Sequence, residues 1–436
     1  MKLAKASFID MNVNAPYGIV AVALSFFVFA YSSRFGQASI LVYYALWFPL
    51  VLLDYRRVLG NYMQLLWLFG FGLFCFVSVF WSPAPSTSLR AALQYLSHII
   101  CALIAMRTIS VSTLTRGAIA GCTLVLLYSL LFGVYFFDPL DGTYSFVGAF
   151  ASKNQLGFYA SLGLFFAYAG VMVLRLNLFW IAGAGAASIL SAYSLFASQS
   201  ATSVITTLGI IAGCIGVQSL LLLRPGARKL IFAGGLVCVI MAADAALSLG
   251  AMDALLGVFG KDSTLTGRTY LWQQGIEAAR QNPVLGLGYQ GYWVQGFADA
   301  ERLWEEFYIA SRSGFHFHNT YIEAMVETGI VGTVLLIAVL LTGFLGHLKR
   351  LLHDAKNKDS LVLFGVLALL LVRSFVEIDI MHPYHVGSFL LYFSAAKLSL
   401  RSRASIPLKQ REQIRPAPAR DEARWAEQPL LGPMRF

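Results

Sequence analysis

The amino-acid sequence predicts an all-α polytopic membrane protein of about 12 transmembrane helices, with one small helical domain outside the bilayer. Three observations carry this. Of the 436 residues, 58% are hydrophobic and only 12% charged, about half the roughly 25% usual in a soluble domain. One buried core cannot absorb so much apolar surface, so a large part of it must meet lipid. The apolar residues also arrive in runs near the ~20 that cross the hydrocarbon, and a single long polar stretch interrupts them late in the chain. The same figures exclude a water-soluble enzyme, a disordered chain, collagen and a coiled coil.

In chain order the predicted spans are Tyr17–Tyr31, Ala38–Leu53, Met63–Phe80, Ala91–Met106, Gly117–Phe137, Gln155–Leu174, Phe179–Ala197, Thr202–Leu223, Leu230–Leu249, Ile322–Gly346, Leu361–Phe375 and Tyr384–Leu400. They divide the chain into membrane helices over 1–249, an outer loop domain over 250–318, membrane helices over 319–400 and a tail over 401–436. An even count puts both termini on one side. With that side cytoplasmic, the inner segments hold Lys2, Lys5, Arg56, Arg57, Arg107, Arg116, Arg175, Arg224, Arg228, Lys229, Lys349, Arg350, Lys356 and Lys358. The short outer segments hold only Arg34, Arg90, Lys153 and Arg373, which fixes the orientation by the excess of basic residues inside. Gly pairs within spans, such as Gly183 and Gly185, are expected to be helix-packing sites.

The long outer loop contains DSTLTGRTYLWQQGIEAARQNPVLGLGYQGYW. Thr266 can cap a helix on which Leu271, Gly275 and Ala278 recur at i, i+4 and i+7, and Pro283, Gly286 and Gly288 end it. Its aromatic residues, Tyr270, Trp272, Tyr289, Tyr292, Trp293, Trp304, Phe307 and Tyr308, suit the headgroup layer or sugar stacking equally well.

The net charge of +10, from 32 Lys+Arg against 22 Asp+Glu, is spread over short runs between apolar segments and a polar tail from Arg401, so no nucleic-acid partner is expected. Tail composition suggests disorder. Cys75, Cys101, Cys122, Cys214 and Cys238 fall in apolar stretches without disulfide or CxxC metal spacing. The N-terminus lacks a cleavable leader pattern, so the first apolar run reads as a retained helix. Neither GxxxxGK[ST] nor GxGxxG occurs, and no nucleotide energy source or other cofactor is expected.

Once the inner anchors are set aside, the remaining ionisable residues gather on the outer side: Arg90, Asp138, Asp141, Lys153, Arg268, Arg280, Arg302, Arg312, His316, His318, Arg373, Glu377, Asp379 and His382. Each one singly can snorkel to water, but together at a membrane face they indicate a site that binds charge or moves protons. His318, where the loop meets the tenth span, is the foremost candidate for taking a proton from a hydroxyl. Metal binding by His316 and His318 is disfavoured because an i, i+2 spacing splays two side chains on a helix. Arg268 follows Gly267 at a helix start, the wrong end for a cation beside the helix dipole, so a ligand explains it better. Arg302 and Arg312 flank Glu301, Glu305 and Glu306 and are candidates for local pairing.

His318 and Asn319, nine further residues, Gly329, two residues and Gly332 fit the pattern H[NSQ]x(9)Gxx[GTY], which resembles the signature of bacterial O-antigen ligases. GAFASKNQLG and SQSATS also look similar to that family, although the second often carries an Arg that is missing here. The likeness runs from the first span to about residue 400. It implies a protein of the bacterial inner membrane, with twelve spans and a large periplasmic loop, that transfers O-antigen from undecaprenyl diphosphate to a sugar hydroxyl of lipid A-core. By this resemblance His318 corresponds to the essential histidine and Arg268 to the loop arginine that meets the donor diphosphate. A lipid diphosphate already carries its activation in the leaving group, so positioning and charge stabilisation suffice without a metal. The expected site is therefore His318 as base, Glu377 or Asp379 to orient or charge-balance it, and Arg268 with Arg90, Lys153 and Arg312 on the diphosphate.

The nearest alternative is an O-antigen or capsule polymerase, to which Arg280 and Gly291 add an Rx(10)G match. A protein O-oligosaccharyltransferase would carry a substantial C-terminal domain outside the membrane. A lipid-linked sugar flippase is expected to bind at mid-membrane, whereas the charges here gather at one face.

Overall fold

A computed structural model describes residues 5–60, 62–138, 143–248 and 267–399. Lys2, Asp141, Thr266 and the tail from Arg401 lie outside these residues. The predicted spans fall on α2 (Ala15–Phe35), α3 and α4 (Gln37–Trp47, Pro49–Leu53), a 3₁₀ turn running into α6 (Tyr62–Phe69, Gly70–Val77), α7 (Pro85–Thr108), α8 (Val111–Phe132), α9 (Lys153–Tyr168), α10 (Leu178–Ala197), α11 (Ala201–Leu220), α12 (Pro225–Ser248), α15 (Thr320–His353), α16 (Lys358–Arg373) and α17 (Val386–Lys397). Short helices α1 (Ala6–Ile9) and α5 (Tyr55–Leu59) lie beside the first and second of these, while α13 (Arg268–Gln281) and α14 (Ala298–Glu306) belong to the long loop. Among the described residues, 8 helical stretches are long and apolar enough to cross a membrane. The chain is a helical, multi-pass membrane protein.

Small residues set how closely the helices approach. A Cβ on Gly117 would lie 2.6 Å from Val22 Cβ, and one on Gly121 3.0 Å from Phe26 Cβ, so this pair on α8 admits α2 to backbone contact. The expectation for Gly183 and Gly185 is not met: among the described residues nothing stands within 4 Å of a Cβ at either position. Spacing alone identified a small-residue pair but not the face of α10 that carries it.

The fifth predicted span also overran its helix. Gly133 ends α8, and the apolar run after it forms β1 (Val134–Asp138), which pairs antiparallel with β2 (Thr143–Gly148), Phe136 opposite Ser145 and Phe137 opposite Tyr144. Val, Tyr and Phe favour a pleated strand once a glycine has interrupted the helix.

In the long loop, Leu271, Gly275 and Ala279 form the buried face of α13. Tyr292, Trp304, Phe307 and Phe317 are buried with Leu271, Leu303 and Val326, so three of the eight aromatic residues read as suited to the headgroup layer or to sugar stacking instead fill the core of this small unit. A two-helix layer has few other residues large enough to exclude water. Tyr270 and Tyr308 remain exposed.

Helix α15 breaks at Gly329, where φ is 59° and ψ −167°. The segment after α13 clasps the break. Leu287 N donates to Val326 O at 2.9 Å and Gly288 N to Glu327 O at 2.8 Å; in return Ile330 N reaches Pro283 O at 2.9 Å and Val331 N reaches Val284 O at 3.3 Å. The two helical hydrogen bonds lost at the break are thus replaced from the loop, as burial in a membrane protein requires. Two positions of the HN…G…G signature acquire a physical reason here: Gly329 adopts a left-handed φ, and Gly332 lies where a Cβ would meet Thr328 at 2.3 Å. Gly329→Ala adds a Cβ 2.3 Å from Val284 O on a φ that costs non-glycine residues about 1–3 kcal/mol. It is expected to lower the melting temperature of the detergent-solubilised protein; an unchanged midpoint would mean that the break is dispensable.

At the far end of α15 from the loop, buried cations cap helix C-termini. Arg228 donates to Leu351 O at 3.2 Å and Leu352 O at 3.1 Å, and Lys397 Nζ to Met106 O at 2.7 Å and Ile109 O at 2.8 Å.

Candidate active site

The start of α15 is fastened to the segment between α16 and α17. Asn319 Oδ1 accepts Tyr321 N at 3.0 Å and Ile322 N at 3.2 Å, capping the helix, while its Nδ2 donates to Phe375 O at 2.9 Å. Thr320 N donates to Ser374 O at 2.9 Å and Thr320 Oγ1 to Glu377 O at 2.6 Å. His318, just before the cap, has φ of 52°, a left-handed turn that ends the loop and presents the ring to residues 376–377.

Three side chains from distant parts of the sequence meet there. Arg268, the first residue of α13, donates from Nη1 to Val376 O at 2.9 Å and from Nη2 to Glu377 Oε1 at 3.0 Å. The other carboxylate oxygen, Glu377 Oε2, lies 3.4 Å from His318 Nδ1. The Glu377 side chain is 7% exposed, against 16% for Arg268 and 21% for His318. One enclosed carboxylate therefore joins a guanidinium to an imidazole, and both of these groups keep some access to their surroundings. Burial opposes ionisation of Glu377, but the neighbouring His318 and Arg268 outweigh it and hold its carboxyl far below the usual range. Glu377 is then a permanent anion at neutral pH, suited to orient an imidazole rather than to trade protons.

His316 stands against the same group, its ring 4.1 Å from that of His318, with Nδ1 accepting the His318 amide at 3.1 Å. Burial, with the adjacent His318, pushes its pKa well down, so this imidazole is neutral. The splaying expected of an i, i+2 pair does not occur, because α15 begins only at Thr320 and neither histidine is on a helix. His382, donated to by Gln290 Nε2 at 2.6 Å, is pushed down to about 3 by burial.

The other predicted cations are not part of this cluster. Arg312 is 61% exposed and pairs with Glu301 at 3.1 Å, and Arg302 pairs with Glu306 at 2.8 Å, the local pairing their acidic neighbours suggest. Arg90 is exposed near the start of α7, and Lys153 is partly buried at the first position of α9. GAFASKNQLG and SQSATS do meet, Ser200 Oγ donating to Asn154 Oδ1 at 3.0 Å. The cation beside the second motif comes from another helix: Arg373, 1% exposed, donates to Ser203 Oγ at 3.3 Å and forms an ion pair with Asp379.

Glu323 escaped the sequence reading. It is fully buried one turn into α15, where Oε2 accepts the Phe317 amide at 2.7 Å and Oε1 accepts Trp293 Nε1 at 2.8 Å, fixing the irregular segment that carries His318. A carboxylate inside a predicted span was the available signal.

A guanidinium, a carboxylate and an imidazole at one end of a lipid-embedded helix bundle define a membrane protein whose site can bind an anion and accept a proton side by side. Comparison with known proteins narrows this. The O-antigen ligase family profile (Wzy_C) matches residues 186–337. The exopolysaccharide production protein ExoQ of Rhizobium meliloti (strain 1021) is 62% identical over 419 residues, covering 96% of this chain and 96% of its own length. The chain belongs to the O-antigen ligase family.

Proposed function

We propose that the chain is an inverting glycosyltransferase that moves a glycan from undecaprenyl diphosphate to a sugar hydroxyl at the periplasmic face of the bacterial inner membrane, without a metal. The observation that carries this reading is the Glu377 carboxylate bridging Arg268 and His318. His318 takes the proton of the acceptor hydroxyl while its oxygen attacks the anomeric carbon. The bond from that carbon to phosphate oxygen breaks, and the diphosphate departs with the electron pair, its growing charge met by the Arg268 fork. Glu377 fixes both partners. Arg90 and Lys153 are the candidates for the second phosphate. Arg312, held by Glu301, has the weaker claim.

Two acceptors fit this chemistry. The family description supports lipid A-core, the O-antigen ligase reaction. The name of the ExoQ relative, exopolysaccharide production, supports a hydroxyl on another lipid-linked glycan unit, which makes the reaction a polymerisation; its match to 96% of the chain makes this the acceptor we favour.

The test is reconstitution of the full chain in liposomes with a polyprenyl diphosphate oligosaccharide, EDTA and no nucleotide. A polymerase is expected to give a ladder of repeats from the donor alone, and a ligase to give product only after core lipid is added. Absolute dependence on a nucleotide would overturn both.

A further inference from the structure

We propose that His316, His318 and Glu377 also form a binding site for a borderline-soft transition-metal ion, and that zinc seated there switches transfer off. One ligand atom from each of the three lies within 4.8 Å of the others, close enough for small side-chain shifts to bring them around one ion. Two imidazoles and one carboxylate are a donor set used by protein-bound zinc, with a fourth position left open.

Two contacts within the cluster are ones an ion can replace. The Glu377 Oε2 to His318 contact is long at 3.4 Å, and the Nδ1 of His316 accepts a single amide at 3.1 Å. The firmer bond of Glu377, to Arg268 at 3.0 Å, uses the other oxygen, Oε1, and so leaves the carboxylate anchored beside the metal as an outer partner orients a ligand.

Arg268 also sets the selectivity. Its positive charge opposes every cation, so only ions that gain strongly from imidazole nitrogen overcome it. Zinc and copper do; magnesium and calcium, which prefer oxygen and water, do not. The inhibitory half of the proposal rests on the reading of His318 as the base: zinc on Nδ1 leaves the ring proton on Nε2, so no lone pair remains to accept the acceptor proton. Donor binding at Arg268 is left in place, so the maximal rate falls while the donor KM does not rise.

The binding half is tested on the purified full chain in detergent by titration with zinc and, for a spectroscopic signature, with cobalt(II). The expected result is one ion per chain, affinity lower by about 10-fold or more in His316→Ala or Glu377→Gln, higher affinity in Arg268→Ala, and no competition from magnesium. Equal binding by wild type and by a variant lacking both imidazoles, or no saturable binding at millimolar zinc, would overturn the site.

The inhibitory half is tested in the liposome assay. Zinc is expected to slow the wild type by roughly 10²-fold or more, the contribution of a general base, with recovery on chelation. His316→Asn keeps an acceptor for the His318 amide and is expected to transfer glycan but resist zinc. If zinc binds at the three residues and transfer continues undiminished, the site stands and the role of His318 as base falls. If transfer stops equally in His316→Asn, zinc acts elsewhere and the proposal fails.

Discussion

His318→Ala is expected to slow glycan transfer by roughly 10²–10⁴-fold, the usual contribution of a general base, while the protein still folds and binds donor. The ring is 21% exposed and packs at the edge of the loop unit, so its removal leaves no large cavity. Asn319 still caps α15, and the clasp around Gly329 is untouched. In cells the product pattern separates the acceptors. Loss of a ligase leaves full-length lipid-linked polymer unused, whereas loss of a polymerase leaves single repeat units. A variant that transfers at the wild-type rate would remove His318 from the chemistry.

Arg268→Ala combines two losses. The leaving diphosphate loses a preorganised donor, a change of roughly 10²–10³-fold in rate by analogy with the removal of one oxyanion-hole donor. Glu377, at 7% exposure, loses its closest cationic partner, and an enclosed carboxylate left short of partners destabilises the fold. The melting temperature is therefore expected to fall together with the rate. Arg268→Lys separates the effects: a lysine restores the charge but not the two-pronged contact to Val376 O and Glu377, so stability is expected to recover more than turnover. Recovery of both to the same extent would mean that only the charge matters.

The membrane helices were legible in the sequence because lipid imposes a length and polarity rule on each one separately. What failed was detail that depends on neighbours. Phe136 and Phe137 are apolar enough for a span, yet they lie on a strand, since Gly133 ends the helix before them. Gly183 and Gly185 have the spacing of a packing motif, but among the described residues no helix approaches their face; Gly117 and Gly121 carry that role. Trp304 and Phe307 suit an interface by type and became core, because α14 and the residue that ends it turn them inward. The site was legible in part. His318 stood out by its local pattern, and Arg268 by its misfit at a helix start. Their connection through Glu377 spans 109 residues on one side and 59 on the other, a separation that no local pattern encodes.

The exchange of hydrogen bonds around Gly329 has a mechanical consequence. Residues 283–288 and the segment of α15 around Gly329 hold one another's main-chain groups, so peeling the loop away would break four hydrogen bonds and strand eight polar groups at once. The imidazole is consequently mounted beside a loop that ties the two sides of the break together, so the glycine, flexible by itself, is splinted against bending.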